Sequence, residues 1–183
     1  MKRNQLLGLT FLFISLIAFG QTTPKNTGKE IGNSWKAVNE NSFSIQYPEN
    51  WDLDQSGKMG ISLILLSKLF SPQDQFRENV NLLIQDLQGQ NINLDKYVEI
   101  SEGQIKTMLT NGNLIESKKL SAFGSEFQKV IYTGDQGIYK LKFEQYYWVK
   151  NGKAYVLTLT CELEQFEKYK VTGEKILNSF RLK

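Results

Sequence analysis

The stretch Ile138–Cys161, IYKLKFEQYYWVK-NG-KAYVLTLTC, decides the fold, because apolar and polar residues alternate on both sides of Asn151-Gly152. Period two over that length predicts a long antiparallel hairpin. A two-residue turn at Asn151-Gly152 sets Phe143 opposite Thr160 and Leu141 opposite Glu162, pairing apolar with polar residues. A three-residue loop, Lys150-Asn151-Gly152 with Gly152 left-handed in a bulge, sets Tyr147 against Tyr155, Phe143 against Leu159 and Leu141 against Cys161. The bulged register is therefore expected, with Cys161 facing inward beside Leu141. The other face then carries Lys140, Lys142, Glu144, Tyr146 and Trp148, polar far from the turn and aromatic close to it.

Working outward, residues 35–183 read as one α+β domain in which an antiparallel β-sheet carries helices on its faces. Trp35–Val38 and Phe43–Tyr47 are short strands, the second ended by Pro48. Met59–Lys68 contains ISLILLS, a nearly continuous apolar run that predicts a central strand buried on both faces. Leu69–Asn79, with Ser71-Pro72, reads as a loop carrying Phe70 and Phe76 before Val80, Leu82 and Ile84 resume the alternation. Asn93 is placed to cap a helix from Leu94 to about Thr110. Leu114–Leu120 and Phe127–Tyr132 are two more strands. A helix from about Leu163 to Phe180 closes the chain, with Phe166, Tyr169, Gly173, Ile176, Leu177 and Phe180 on its inner stripe. Its acidic residues come early and its lysines late, which suits the helix dipole. Gly173 on that stripe costs about 1 kcal/mol of helix propensity, so a close approach of helix to sheet is expected there.

The N-terminus reads as an address. Lys2 and Arg3 precede the apolar run Leu6–Phe19, and Ala18-Phe19-Gly20 supplies small residues at the recognition positions, so residues 1–20 are a signal peptide cleaved after Gly20. The run is shorter than the ~20 apolar residues of a membrane span. No cysteine follows it, which closes the lipoprotein route and leaves a periplasmic or secreted protein with no membrane insertion after cleavage. Residues 21–34, rich in Thr, Lys, Asn and Gly, are a flexible linker. Cleavage removes two of the 22 basic residues and none of the 19 acidic ones, so the formal charge falls from +3 to +1. Such a chain has no electrostatic footprint for nucleic acid. With a single cysteine no internal disulfide forms, and Cys161 is read as a buried structural thiol.

Phe43-Ser44-Ile45-Gln46-Tyr47-Pro48-Glu49-Asn50-Trp51 and the closing Ile176-Leu177-Asn178-Ser179-Phe180, with the order of elements between them, resemble the PsbP/DcrB-like family over roughly Trp35 to Leu182. The resemblance implies an α/β/α sandwich. It also implies a binding or accessory role, since the family spans photosystem II extrinsic subunits, a nuclear Ran-binding factor, envelope lipoproteins and secretion chaperones without a common catalytic site. No family binding residue maps onto a numbered position in this chain.

The sequence contains no histidine, which removes Ser-His-Asp and Cys-His nucleophile systems and the commonest zinc ligand. Asp52-Leu53-Asp54-Gln55-Ser56-Gly57 matches the first half of a calcium loop, but the position that requires a bidentate Glu falls on Leu63, and a solvated turn is the expected structure. No metal or cofactor is expected. Tyr146 and Trp148 at the aromatic end of the hairpin, with Phe70 and Phe76 in the loop, form the candidate partner surface. Packing under a helix is the structural alternative for the first pair, and folding back over the core for the second. The expected function is a non-catalytic exported binding or assembly accessory that contacts another protein, in an oligomeric state that the sequence leaves open. A small hydrophobic ligand held between helix and sheet, and a carboxylate-dependent envelope hydrolase, are the alternatives.

Overall fold

The computed structural model describes residues 34–183. The expected signal peptide and all but the last residue of the expected linker lie outside the described residues. Two sheets and two helices form three layers. The large sheet has seven strands, β3 (Asp52–Asp54), β4 (Ile61–Leu66), β5 (Asn79–Asp86), β6 (Thr110–Ala122), β7 (Ser125–Gln136), β8 (Tyr139–Lys150) and β9 (Lys153–Glu162). Their spatial order is β3-β4-β5-β9-β8-β7-β6, and every described pair is antiparallel. A small sheet joins β1 (Trp35–Asn39), β2 (Phe43–Pro48) and the two-residue β10 (Arg181–Leu182), with β2 in the middle. Helix α1 (Leu94–Met108) covers one face of the large sheet. Helix α2 (Phe166–Ser179) and the small sheet share the other face.

The hairpin at the centre forms with the two-residue turn, which corrects the expected bulged register. Lys150 pairs with Lys153, Trp148 with Tyr155, Phe143 with Thr160 and Leu141 with Glu162. Asn151 and Gly152 both have positive φ, 53° and 69°, the demand of a type I′ turn that Asn-Gly meets most cheaply. The apolar-to-polar pairings cost little because both faces of the sheet are covered. Strand β8 sends Leu141, Phe143 and Tyr147 to the α1 side, while β9 sends Tyr155, Leu157, Leu159 and Cys161 to the α2 side. Cys161 is buried as expected, but beneath α2 and across from Lys142, away from Leu141. The polar partners are satisfied where they meet: Gln145 Nε2 donates to Thr158 Oγ1 at 2.9 Å.

Strand β4 is buried on both faces, yet it lies second from the edge instead of at the centre, with only the three residues of β3 outside it. Two-sided burial here reports two covering layers, not a central place in the sheet. Asn93 caps α1, its side chain accepting from Lys96 N at 2.9 Å. Gly173 is where the sequence placed a close approach: a Cβ there would sit 2.7 Å from Leu159 Cδ1 and closer still to Cδ2. The absent side chain lets α2 lie directly on β9.

Candidate functional site

The four aromatic residues expected to form a partner surface do not meet. Tyr146, Trp148 and Phe76 are buried, whereas Phe70 is 72% exposed. Phe76 folds back on the α1 side against Tyr139, ring centroids 5.1 Å apart. Tyr146 and Trp148 point toward α2, because their alternation places them on the face that α2 and the small sheet cover. They form the floor of a shallow groove, and Phe70 stands at the rim of a separate cleft.

The groove lies at the tip of the β6–β7 hairpin. Trp148 is flanked by Phe127 at 5.3 Å and Phe180 at 4.9 Å between centroids, and Tyr146 donates to Asn178 Oδ1 at 3.4 Å. Above this floor Phe123 projects at the turn, 72% exposed, with a left-handed φ of 53° that a bulky side chain adopts at a cost of about 1–3 kcal/mol. Gly124 follows with φ 73°. The Arg181 guanidinium lies 3.3 Å from the Phe123 ring centroid, and its Nη1 donates to the carbonyls of Asn178 and Phe180, so the cation is held over the ring. The enclosed volume is only about 40 Å³, which suits a surface contact and not a swallowed ligand.

The cleft lies on the other side of α2, where Trp35, Pro48 and Trp51 face Phe70, Tyr169 and Thr172 across roughly 450 Å³. Asp74 builds the wall that carries Phe70: its carboxylate accepts from Phe70 N at 2.8 Å and from Phe76 N at 3.0 Å. Trp51, the last residue of the Tyr-Pro-x-x-Trp stretch, is buried and meets the Tyr169 ring edge-on at 6.5 Å. Lys168 Nζ sits 3.4 Å from the Phe70 centroid and 5.3 Å from that of Tyr169, and Lys175 Nζ lies 4.2 Å from that of Trp35.

Beneath this wall Glu78 is buried, and its carboxyl is pushed above the usual range, first by burial and then by the Asp74 and Glu162 charges, against a hydrogen bond from Ser67. Burial likewise raises Tyr169, to about 12. Under α2, Glu144 is wholly buried with Lys129 Nζ at 2.9 Å, and Lys129 reaches Glu174 on the helix at 3.4 Å. Burial raises Glu144, and the Lys129 ammonium offsets this only in part. Burial also drives the Cys161 thiol well above its ordinary value, which removes it as a nucleophile.

The partial calcium motif is strand β3 and the bend that follows it. Asp52 is engaged by both Lys68 and Arg77, and Asp54 accepts from Ser56 N at 2.7 Å. Among the described residues no group of three or more His, Cys, Asp or Glu side chains converges as a metal site would.

Sequence reasoning missed Phe123, Trp35, Tyr169 and the two lysines. The signal for Phe123 was present, since Phe-Gly stands where a two-residue turn calls for Asn-Gly. The i, i+7 spacing of Lys168 and Lys175 was legible as well, but which rings lie beneath them depends on β1 and the loop.

The architecture is an α+β sandwich of the PsbP-like type. The solved structures similar to it include cyanobacterial PsbP from Synechocystis sp. PCC 6803, with TM-score 0.58 and 13% identity over 87% of this chain and 98% of that one. LpqN, involved in cell envelope biogenesis of Mycobacterium tuberculosis, matches with TM-score 0.59 and 11% identity over 81% and 90%. PA94, a protein of unknown function from Pseudomonas aeruginosa, matches with TM-score 0.57 and 11% identity over 79% and 94%. The chain matches no family profile and no curated protein. Among the described residues no helix is long and apolar enough to cross a membrane.

Proposed function

We propose that this chain is a non-catalytic accessory protein, exported by a signal peptide cleaved after Gly20, that docks another protein at the tip of the β6–β7 hairpin. The observation that carries the reading is Phe123: a large apolar side chain held in left-handed backbone, exposed to solvent and backed by Arg181. A large apolar ring left exposed in left-handed backbone, with the Arg181 guanidinium as its contact, is a position suited to a partner. The likeness in fold to PsbP and LpqN agrees with an accessory role in an envelope or extrinsic compartment. Of the four expected surface residues, Tyr146 and Trp148 serve as the rigid floor behind Phe123, Phe70 belongs to the cleft and Phe76 to the core. The non-catalytic reading is preferred to the hydrolase alternative because Glu144 and Glu174 converge on Lys129 beneath α2, and neither they nor Glu78 line the groove or the cleft.

Placing a photo-crosslinking residue at Ala122 and irradiating native envelopes tests this. One defined protein adduct is expected, lost in Phe123→Ala and Arg181→Glu while both variants melt like the parent. No adduct, or one that persists in both variants, would overturn the docking site.

A further inference from the structure

We propose that the cleft between α2 and the Phe70 loop is a second binding site, for an acidic glycan: a saccharide strand bearing carboxylates. It goes beyond the protein-docking tip, lies on the other side of α2 and shares no residue with it.

Charge is the first argument. Most described lysines of this region are matched by carboxylates, Lys68 with Asp52, Lys36 with Glu49 and Lys170 with Glu167. Lys168 and Lys175 differ. Neither stands in an ion pair among the described residues; aromatic faces hold them, Phe70 and Tyr169 for the one and Trp35 for the other. A ring positions an ammonium without neutralising it, so two positive charges stand two turns apart on one face of α2 with Thr172 between them, Lys168 lining the cleft and Lys175 over the Trp35 ring that also lines it. They fit an anionic ligand with repeating charge.

Shape and lining are the second argument. A volume of roughly 450 Å³ falls within the about 300–1,000 Å³ of ligand clefts. The site opens to solvent. Its walls alternate aromatic surface from Trp35, Trp51 and Tyr169 with hydroxyl and amide groups from Ser34, Thr172 and Asn50. Flat apolar faces beside hydrogen-bonding groups complement a sugar ring, which presents C–H faces and hydroxyl edges. Asp74 ties the Phe70 loop through two backbone N–H groups, and Trp51 meets Tyr169 edge-on. An acidic peptide would use the lysines but not the aromatic walls, and single-stranded nucleic acid would use both; the glycan is favoured over nucleic acid because the processed chain carries a formal charge of only +1.

Titration calorimetry of the processed chain with a galacturonate tetrasaccharide tests the site, beside cellotetraose, polyglutamate and oligothymidylate as probes. Trp148→Phe leaves Trp35 and Trp51 as the only tryptophans, so fluorescence of that variant reports the cleft directly. Binding of the galacturonate alone is expected, with a change in tryptophan emission. Lys168→Glu and Lys175→Glu are each expected to weaken it about tenfold, the loss of a charge-assisted hydrogen bond. Both lysines are exposed, so the fold tolerates these changes. Trp35→Ala is expected to abolish binding and Phe123→Ala to leave it unchanged, which separates this site from the docking tip. Silence with galacturonate would overturn the proposal. Equal binding of polyglutamate would reassign the cleft to acidic peptide, equal binding of oligothymidylate to nucleic acid, and indifference to Trp35→Ala would remove the stacking role.

Discussion

Two hairpin tips of the large sheet share one backbone shape and carry opposite chemistry. Asn151-Gly152 between β8 and β9 and Phe123-Gly124 between β6 and β7 have nearly the same φ values, 53° and 69° against 53° and 73°. The first is what turn sterics prefer, since Asn tolerates left-handed backbone and Gly adopts it freely. The second places an exposed aromatic where Asn would be less strained. The comparison teaches that one backbone shape, repeated at two tips on the same end of the sheet, satisfies turn sterics at the first and leaves an apolar side chain exposed at the second.

The largest expected effect separates the residue on the second tip from the one behind it. Trp148→Ala empties a buried site between Phe127 and Phe180 and is expected to cost about 3–5 kcal/mol by chemical denaturation, whereas Phe123→Ala stays within about 0.5 kcal/mol of the parent. Equal costs would show that Phe123 is part of the core. Exchanging the turns comes next. Asn151→Phe is expected to destabilise by about 1–2 kcal/mol, because nothing described above that turn repays the strain. Phe123→Asn runs the other way and is expected to raise stability by up to about 1 kcal/mol while abolishing the crosslinked adduct. Loss of stability in that variant would mean that the Arg181–Phe123 contact outweighs the strain.

The smallest effect is a pH dependence that the turns lack, since neither carries a titratable group at its centre. Glu78 has a folded-state pKa above its unfolded value. Its contribution is therefore full below the unfolded pKa and is lost as pH rises through the folded one. Glu78→Gln should gain melting temperature on the parent as pH rises from about 4 to about 8, while Phe123→Asn keeps a constant difference. A flat profile for Glu78→Gln would show that the carboxyl ionises as easily in the fold as in the unfolded chain.

What the sequence made legible was whatever rests on local period and propensity. The two helices, the Asn93 cap, the loop around Ser71-Pro72 and the contact at Gly173 follow from spacing or from one residue's missing side chain. The hairpin register was misjudged because alternation was weighed as if one face met solvent. With cover on both faces, β8 and β9 each bury apolar residues on both sides of the sheet, and Asn-Gly turn chemistry decides the pairing. Strand β4 was read as central because burial on two faces was equated with a middle place in the sheet, whereas the packing of Tyr146 and Trp148 under a helix was legible as an alternative and is what the structure shows. The cleft was beyond reach because its rings come from β1, the segment after β2, a loop and α2, which only tertiary structure assembles.

The small sheet has a consequence for when this protein becomes complete. Strand β2, built from the Tyr-Pro stretch near the start of the described chain, takes Arg181 and Leu182 as its partners, Lys183 N donates to Ser42 O, and Ser179 Oγ accepts from Gln46 N. A chain emerging from its N-terminus can pair β1 with β2 early but cannot complete the small sheet until Arg181 and Leu182 arrive. Contacts that span almost the whole sequence delay closure, so a nascent chain keeps its α2-side core unsealed throughout synthesis.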